Sequence, residues 1–172
     1  MNQAIENMLS RRSVRAYEST PVAKELLEQI IQAGLAAPSG RNRQPAVIVA
    51  ITDKETLARL SRANGAVMGS ANDPFYGAPA VLVVLADKSR NTSLYDGSLV
   101  MENLMLAAHS LGLGSCWIHR AKEVFDSEEG REILASLGIE GDYEGIGNCI
   151  VGYTQNPPAE RKPRKENYVY KI

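Results

Sequence analysis

The stretch Ala80-Val-Leu-Val-Val-Leu-Ala86 is continuously apolar and rich in β-branched residues. Pro79 precedes it and Asp87 follows it, and it is far shorter than the ~20 residues that a membrane-spanning helix needs. A short apolar run between such residues is typical of a strand buried on both faces. The stretch therefore predicts a central strand of a sheet.

Helical and extended patterns alternate on both sides of this strand. Apolar residues between Ser93 and Leu111 have helical spacing, and Gly112 follows, which predicts a long, mostly buried central helix. Thr20 before Pro21 predicts the start of another helix, Asp53 predicts a third, and residues 64–79 are expected to be irregular. The remaining predictions are helices over 2–9 and 123–137 and strands over 47–51, 113–118 and 146–153.

Length and charge restrict the classes of protein. The chain has 172 residues, which fits one domain. Its 19 basic and 20 acidic side chains give a formal net charge of -1, so the whole molecule has no general attraction for nucleic acid or an anionic membrane. The first residues have no basic segment followed by an apolar run, which favours a cytoplasmic protein without membrane contact.

Cysteine and histidine are scarce. Cys116 and Cys149 lie far apart, and His109 and His119 are the two histidines, so the spacing argues against a zinc site. Cys116 and His119 could form a nucleophile and base pair, but a cysteine packed in the core is the commoner situation and the favoured interpretation.

Two basic clusters stand out in this nearly neutral chain. Arg11, Arg12 and Arg15 lie near the start, and Lys162, Arg164 and Lys165 lie near the end. Each could be a solvated surface, and nucleic-acid binding is a further alternative. Arginine forks fit phosphate oxygens, and Ser13 adds a hydroxyl donor. One phosphate monoester could therefore use both clusters.

A polar segment, Pro38-Ser-Gly-Arg-Asn-Arg-Gln-Pro45, separates a predicted helix from a predicted strand. Ser39, Asn42 and Gln44 carry uncharged donors and acceptors that suit sugar hydroxyls or the edge of a heterocycle, although an ordinary capped turn uses the same residue types. The glycine-rich phosphate fingerprints G-x-G-x-x-G and G-x-x-x-x-G-K-[ST] are absent after a strand, which disfavours a Rossmann or P-loop site.

The order and spacing of these motifs resemble the FMN-dependent nitroreductases, here a short member, over nearly the whole chain. The motifs are Arg11-Arg-Ser-Val-Arg-Ala-Tyr17, Ala37-Pro-Ser-Gly-Arg-Asn-Arg-Gln-Pro45, Phe75-Tyr-Gly-Ala-Pro79, Leu111-Gly-Leu-Gly-Ser-Cys-Trp-Ile118, Val151-Gly-Tyr153 followed by prolines, and Arg161-Lys-Pro-Arg-Lys165. Each motif is weak alone, but their common order makes the resemblance specific.

The resemblance implies an α+β fold with a central, mostly antiparallel sheet flanked by helices. It also implies a homodimer with two FMN sites at the subunit interface. Residues 1–153 would form the FMN-binding core. Residues 154–172 would form a C-terminal arm that completes the FMN site and packs on the partner subunit, and this would give the strand-like patch 168–170 a place to be buried.

The resemblance also assigns roles to individual residues. In such proteins the phosphate is bound by the residues that match Arg11, Ser13, Lys162 and Arg164, and the residue that matches Arg12 assists. The residue that matches Arg15 reaches the N1 and C2 carbonyl edge of the flavin ring. The other subunit contributes those matching Pro38, Ser39, Asn42 and Gln44. The backbone of Trp117, Ile118 and His119 lies near flavin N5, and Asn72 contacts the pyrimidine edge.

The implied activity is hydride transfer from NADH or NADPH through flavin N5 to a nitroaromatic, a quinone or a similar conjugated acceptor. Because the cofactor carries this chemistry, no catalytic side chain is expected. Ala46 stands where many relatives have a bulky aromatic residue, and the chain lacks the long insertions of larger members, so the acceptor pocket is expected to be more open. The alternative is an FMN storage or sensor protein without efficient turnover.

Overall fold

The structure is a computed structural model that describes residues 1–155 and 160–172. An antiparallel sheet has the strand order β1-β2-β4-β3. Its strands are β1 (Ala46–Ile51), β2 (Ala80–Asp87), β3 (Gly114–Ile118) and β4 (Tyr143–Gly152). The helices are α1 (Gln3–Ser10), α2 (Lys24–Leu35), α3 (Lys54–Met68), α4 (Ser93–Ser110), α5 (Ala121–Asp126) and α6 (Glu128–Ser136), and a single 3₁₀ turn covers Gly40–Asn42.

The apolar stretch 80–86 is a central strand, as its composition predicts. Every residue from Ala80 to Ala86 in β2 is buried, and the strand pairs with β1 on one side and β4 on the other. Val83, for example, lies opposite Val49 in β1 and Asn148 in β4. Both faces of β2 are therefore covered.

Two apolar cores lie on the opposite faces of the sheet. On one face α2 and α4 pack against the sheet around Ile30, Leu104 and Cys149. On the other face α3, α5 and α6 pack around Leu60, Phe125 and other buried apolar side chains. Successive residues of a strand point to opposite faces, so β2 and β4 supply side chains to both cores. This is the predicted α+β arrangement of an antiparallel sheet flanked by helices.

Three predicted helix boundaries are wrong, and tertiary contacts explain each. Helix α2 begins at Lys24 rather than at Pro21, because buried Val22 holds the preceding segment extended against the core. Helix α3 continues through Asn64 to Met68, because Asn64 is fully buried and donates a hydrogen bond to the carbonyl of His119. The predicted helix 123–137 is two helices, and the hydroxyl of Ser127 caps the second one.

Two further differences concern the C-terminal half. Strand β4 begins at Tyr143 rather than at 146, since Gly145 and Gly147 interrupt the apolar pattern that a sequence-based prediction relies on. Residues 168–170 form no strand within the chain and are exposed. Among the described residues, no helix is long and apolar enough to cross a membrane.

Candidate functional site

The two basic clusters, which are separated by 147 positions between Arg15 and Lys162, meet in one cavity of about 290 Å³. Its lining comes from the loop after α1 and from the C-terminal arm. The lining residues are Arg11, Arg12, Ser13, Arg15, Glu160, Arg161, Lys162 and Arg164. Glu160 is the one acidic side chain among them, so the cavity carries a large excess of positive charge and suits a multiply charged anion.

The loop with Arg11 and Arg15 is fixed to the outer edge of β3. Ser13 forms a parallel bridge with Ser115, and the backbone N–H of Val14 donates to the carbonyl oxygen of Ser115 at 2.9 Å. The hydroxyl of Tyr17 donates to the carbonyl oxygen of Val14 at 2.8 Å, and burial raises the pKa of this phenol, which keeps it a donor. These contacts hold the loop that presents the arginines.

Arg11 is the most informative side chain of the cavity. It is half-buried, and its Nη1 is a buried nitrogen that finds no hydrogen-bond acceptor among the described residues. A buried charged donor without an acceptor is costly, so this atom fits an anion that the protein itself does not supply. Arg12 differs, because its Nη1 donates to the carbonyl oxygens of Leu9 and Arg11 at 2.9 and 2.6 Å.

His109 at the end of α4 lies directly behind this loop. Its Nε2 is 2.8 Å from the hydroxyl oxygen of Ser10. Burial lowers the pKa of His109, and the positive charges of Arg11 and Arg12 lower it further. The imidazole is therefore held in its neutral form beside the basic loop.

The polar segment 38–44 forms a separate region outside this cavity. Pro38, Asn42 and Gln44 are exposed, and the backbone N–H of Gln44 donates to Ser39 Oγ at 3.0 Å. Gly40 N–H donates to Asp96 Oδ1 at 3.1 Å, which attaches the segment to α4. Within the described residues of one chain, the structure does not bring this segment to the basic cavity.

The end of β3 is a second polar region at backbone level. Ile118 is buried, whereas Trp117 is half-buried and His119 is exposed. The side-chain amides of Asn148 and Asn64 donate to the carbonyl oxygens of Ile118 and His119 at 3.5 and 3.0 Å. These contacts hold the backbone of the turn that follows β3. Asn72 lies on an exposed loop, where its backbone N–H donates to Ser70 Oγ.

Cys116 is packed in the core rather than placed as a nucleophile. It is 2% exposed and belongs to the core on the α3 face, while Cys149 belongs to the core on the α4 face. Both are free cysteines, and burial raises the pKa of the Cys149 thiol. The favoured interpretation of Cys116 as a packing residue therefore agrees with the structure. No group of three or more His, Cys, Asp or Glu side chains within residues 1–155 and 160–172 could hold a metal ion.

Sequence reasoning missed two residues that hold these regions in place. Ser115 carries the loop contact described above, and Asp96 is a buried carboxylate in the apolar helix α4. Asp96 and Val100 are four residues apart, so they lie on the same face of α4, and both are buried. An acidic residue on this otherwise apolar face was the signal by which the sequence could have indicated Asp96. For Ser115 the sequence carried no signal.

The chain matches known proteins over its whole length. The model of the Nitroreductase family matches residues 8–72 and 62–153. An NADPH-flavin oxidoreductase of Vibrio harveyi is 30% identical over 188 aligned positions, which cover 98% of this chain and 72% of that protein.

Solved structures agree with the sequence matches. A nitroreductase with bound FMN from Bacteroides fragilis superposes with a TM-score of 0.91 at 28% identity, with all of both chains covered. A second FMN-bound nitroreductase, from Desulfitobacterium hafniense, gives a TM-score of 0.87 at 26% identity, also over 100% of both chains. With the family model matched from residue 8 to residue 153, the chain belongs to the nitroreductase family.

Proposed function

We propose that this protein is an FMN-dependent oxidoreductase that takes a hydride from NADH or NADPH and passes it to a nitroaromatic, a quinone or a similar conjugated acceptor. The observation that carries the proposal is that both basic clusters line one cavity, and that Arg11 in this lining has a buried Nη1 without an acceptor among the described residues. The names of the Vibrio harveyi oxidoreductase and of the FMN-bound structures support the same activity.

The phosphate end of FMN would be held by the side chains that line the basic cavity. Arg11, Ser13, Lys162 and Arg164 would bind the phosphate oxygens, and Arg12 would add positive charge from its position against the backbone. When bound, FMN supplies the hydride chemistry at its N5 atom. The protein's own part is to bind and orient the cofactor, so we assign no catalytic side chain.

Arg15 would act on the ring rather than on the phosphate. It is exposed at the outer end of the loop, four residues after Arg11, and Val14 between them is tied to β3. A guanidinium beside the N1 and C2 carbonyl edge would stabilise the negative charge of the reduced ring, most strongly where water is excluded. The backbone of Trp117, Ile118 and His119 would lie near N5, with Asn72 at the pyrimidine edge.

We further propose a homodimer in which the arm of residues 154–172 completes the FMN site and packs on the partner subunit; residues 156–159 of the arm lie outside the described residues. Two exposed features support it. Apolar side chains lie on the surfaces of α1 and α4, namely Ile5, Met8, Leu94, Tyr95 and Leu99. Strand β1 is an outer strand of the sheet, and none of the described residues pairs with its free edge.

A candidate place for the partner's arm lies near the C-terminal end of β1. A groove of about 750 Å³ lies beside the end of β1, with Val22, Leu27, Leu57 and Phe75 in its lining. Tyr168, Val169 and Tyr170 are 65, 70 and 82% exposed in their own chain. We assign this groove to the partner's Tyr168, Val169 and Tyr170, because its apolar lining would bury their exposed side chains. In the dimer, the flavin site of one subunit would also include four residues of the other subunit, namely Pro38, Ser39, Asn42 and Gln44.

The test is a visible absorption spectrum of the purified protein with added FMN, followed by anaerobic titration with NADH and then NADPH. A bound flavin spectrum that is bleached by either donor, and restored by a quinone or nitroaromatic, supports the oxidoreductase. Bound flavin that neither donor bleaches favours storage or sensing instead. A protein that binds no FMN refutes both.

We also propose that the protein is cytoplasmic, and the proposed use of NADH or NADPH supports this location.

A further inference from the structure

The polar segment 38–44 has an unusual backbone. Arg41, Asn42 and Gln44 have φ values of 54°, 54° and 50°, and none of them is glycine. A left-handed backbone is unfavourable for residues with a Cβ atom, and such residues persist only where the surroundings hold them. Three in one short loop therefore require a specific anchor.

Asp96 is placed to be that anchor. It lies in the first turn of α4 and is 5% exposed. Its Oδ1 accepts the backbone N–H of Gly40 at 3.1 Å, and its Oδ2 accepts the hydroxyl of Thr92 at 2.8 Å. Among the described residues, no lysine or arginine forms an ion pair with it. Burying a carboxylate without a cation costs free energy. The two hydrogen bonds that Asp96 accepts offset this cost.

The contact is also sterically matched. A Cβ atom added to Gly40 would lie 2.9 Å from Thr92 Oγ1, so this close approach of the loop to α4 requires glycine. Asp96 thus fixes Thr92, and Thr92 and Asp96 together fix Gly40. The strained residues Arg41 and Asn42 follow Gly40 directly.

We propose that Asp96 is a positioning residue of the flavin site. By holding Gly40, it sets the left-handed loop so that Ser39, Asn42 and Gln44 meet the flavin of the partner subunit in a fixed geometry. The inference rests on the proposed function, because the loop is a flavin contact only in the FMN-bound dimer.

Two readouts test this role. Native-state trypsin cleavage after Arg41 and Arg43, which are exposed on the loop, reports how often the loop opens. Titration of the dimeric protein with FMN reports the consequence for the cofactor. Asp96→Ala should raise the loop cleavage rate about tenfold and weaken FMN binding by a similar factor. Asp96→Asn should restore both, since its amide can still accept from Gly40 and donate to Thr92.

Matched variants separate positioning from loss of stability. Thr92→Val should raise the loop cleavage rate and weaken FMN binding, as Asp96→Ala does, whereas Thr92→Ser should change neither. The two threonine variants therefore test the positioning role even if Asp96→Ala fails to fold. Ile133→Val, in the core on the other face, should leave loop cleavage and FMN affinity unchanged.

The inference is overturned if Thr92→Val and Asp96→Ala are cleaved at the wild-type rate, or if the loop opens and FMN affinity does not change. Failure of the proposed function looks different, because the wild-type protein itself would then bind no FMN.

Discussion

The backbone N–H of Val14 donates to the carbonyl oxygen of Ser115 at 2.9 Å, and this hydrogen bond ties the basic loop to an outer strand of the sheet. Positions 14 and 115 lie far apart in the chain, yet this bond fixes the loop that carries Arg11 and Arg15 against β3. The proposed phosphate site would thereby be built on a strand of the sheet rather than on a free terminus.

This attachment depends on the absence of a side chain at Gly114. A Cβ atom there would lie 2.9 Å from Cγ1 of Val14 and similarly close to its other side-chain carbons. Gly114→Ala should therefore destabilise the protein by about 1–3 kcal/mol and weaken FMN binding. Thermal unfolding and FMN titration measure the two effects. The double variant with Val14→Ala removes Cγ1 and Cγ2 but keeps Cβ, so it should recover part of both effects. Equal defects with and without Val14→Ala would contradict the steric explanation.

Arg11 is expected to act on the phosphate rather than on the ring. A hydrogen bond to a charged group contributes about 1.5–3 kcal/mol, so Arg11→Ala should weaken FMN binding roughly 10- to 100-fold. Riboflavin, which lacks the phosphate, should bind the variant and the wild-type protein equally. Arg131→Ala is the control, since Arg131 lies on α6 and does not line the cavity. A parallel loss of riboflavin affinity would argue against a phosphate role.

Arg15 is expected to act on the flavin ring rather than on the phosphate. Arg15→Gln should lower the flavin midpoint potential more than it weakens binding, because our proposal places the positive charge of Arg15 beside the reduced ring. A loss of about 1–2 kcal/mol corresponds to roughly 20–45 mV for a two-electron couple. Spectroelectrochemical titration gives the potential, and fluorescence titration gives the affinity. Identical potentials in the two proteins would refute the division of roles between Arg11 and Arg15.

His109 should report on the charge of the basic loop. Its pKa in the folded protein lies below the ordinary value of about 6.5 because of burial and of Arg11 and Arg12. The unfolded chain therefore binds more protons as the pH falls through this range, and the stability of the cofactor-free protein should fall below about pH 6.5. NMR titration of the imidazole measures the pKa, and Arg11→Ala should raise it. Assignment comes from His109→Gln, and a titration that Arg11→Ala leaves unmoved would contradict this origin of the shift.

The arm should hold the dimer together. Replacing both Tyr168 and Tyr170 by serine should shift the monomer and dimer equilibrium toward the monomer and weaken FMN binding, since the groove beside β1 would lose its apolar occupant. Analytical ultracentrifugation measures the equilibrium. Replacing exposed Leu137, which lies outside the groove, by serine should change neither. An unchanged dimer in the double tyrosine variant would show that the arm does not bind there.

Elements whose signals are local can be predicted from the amino-acid sequence. The central strand 80–86, the long helix after Ser93, the helix capped by Asp53 and the two basic clusters follow from apolar runs, spacing and charge, which are properties of neighbouring residues. The order and spacing of its motifs also carried the resemblance to the family.

The places where these elements meet depend on long-range contacts, which become visible in the folded chain. The meeting of the basic clusters in one cavity, the bond from Val14 to Ser115 and the anchoring of Gly40 by Asp96 join residues 56 or more positions apart, and no local pattern encodes such pairs. The errors at Thr20, Asn64 and Ser127 have a related origin. Burial of Val22, the hydrogen bond from Asn64 and the cap at Ser127 outweigh local helix propensity, which is worth less than the contacts that compete with it.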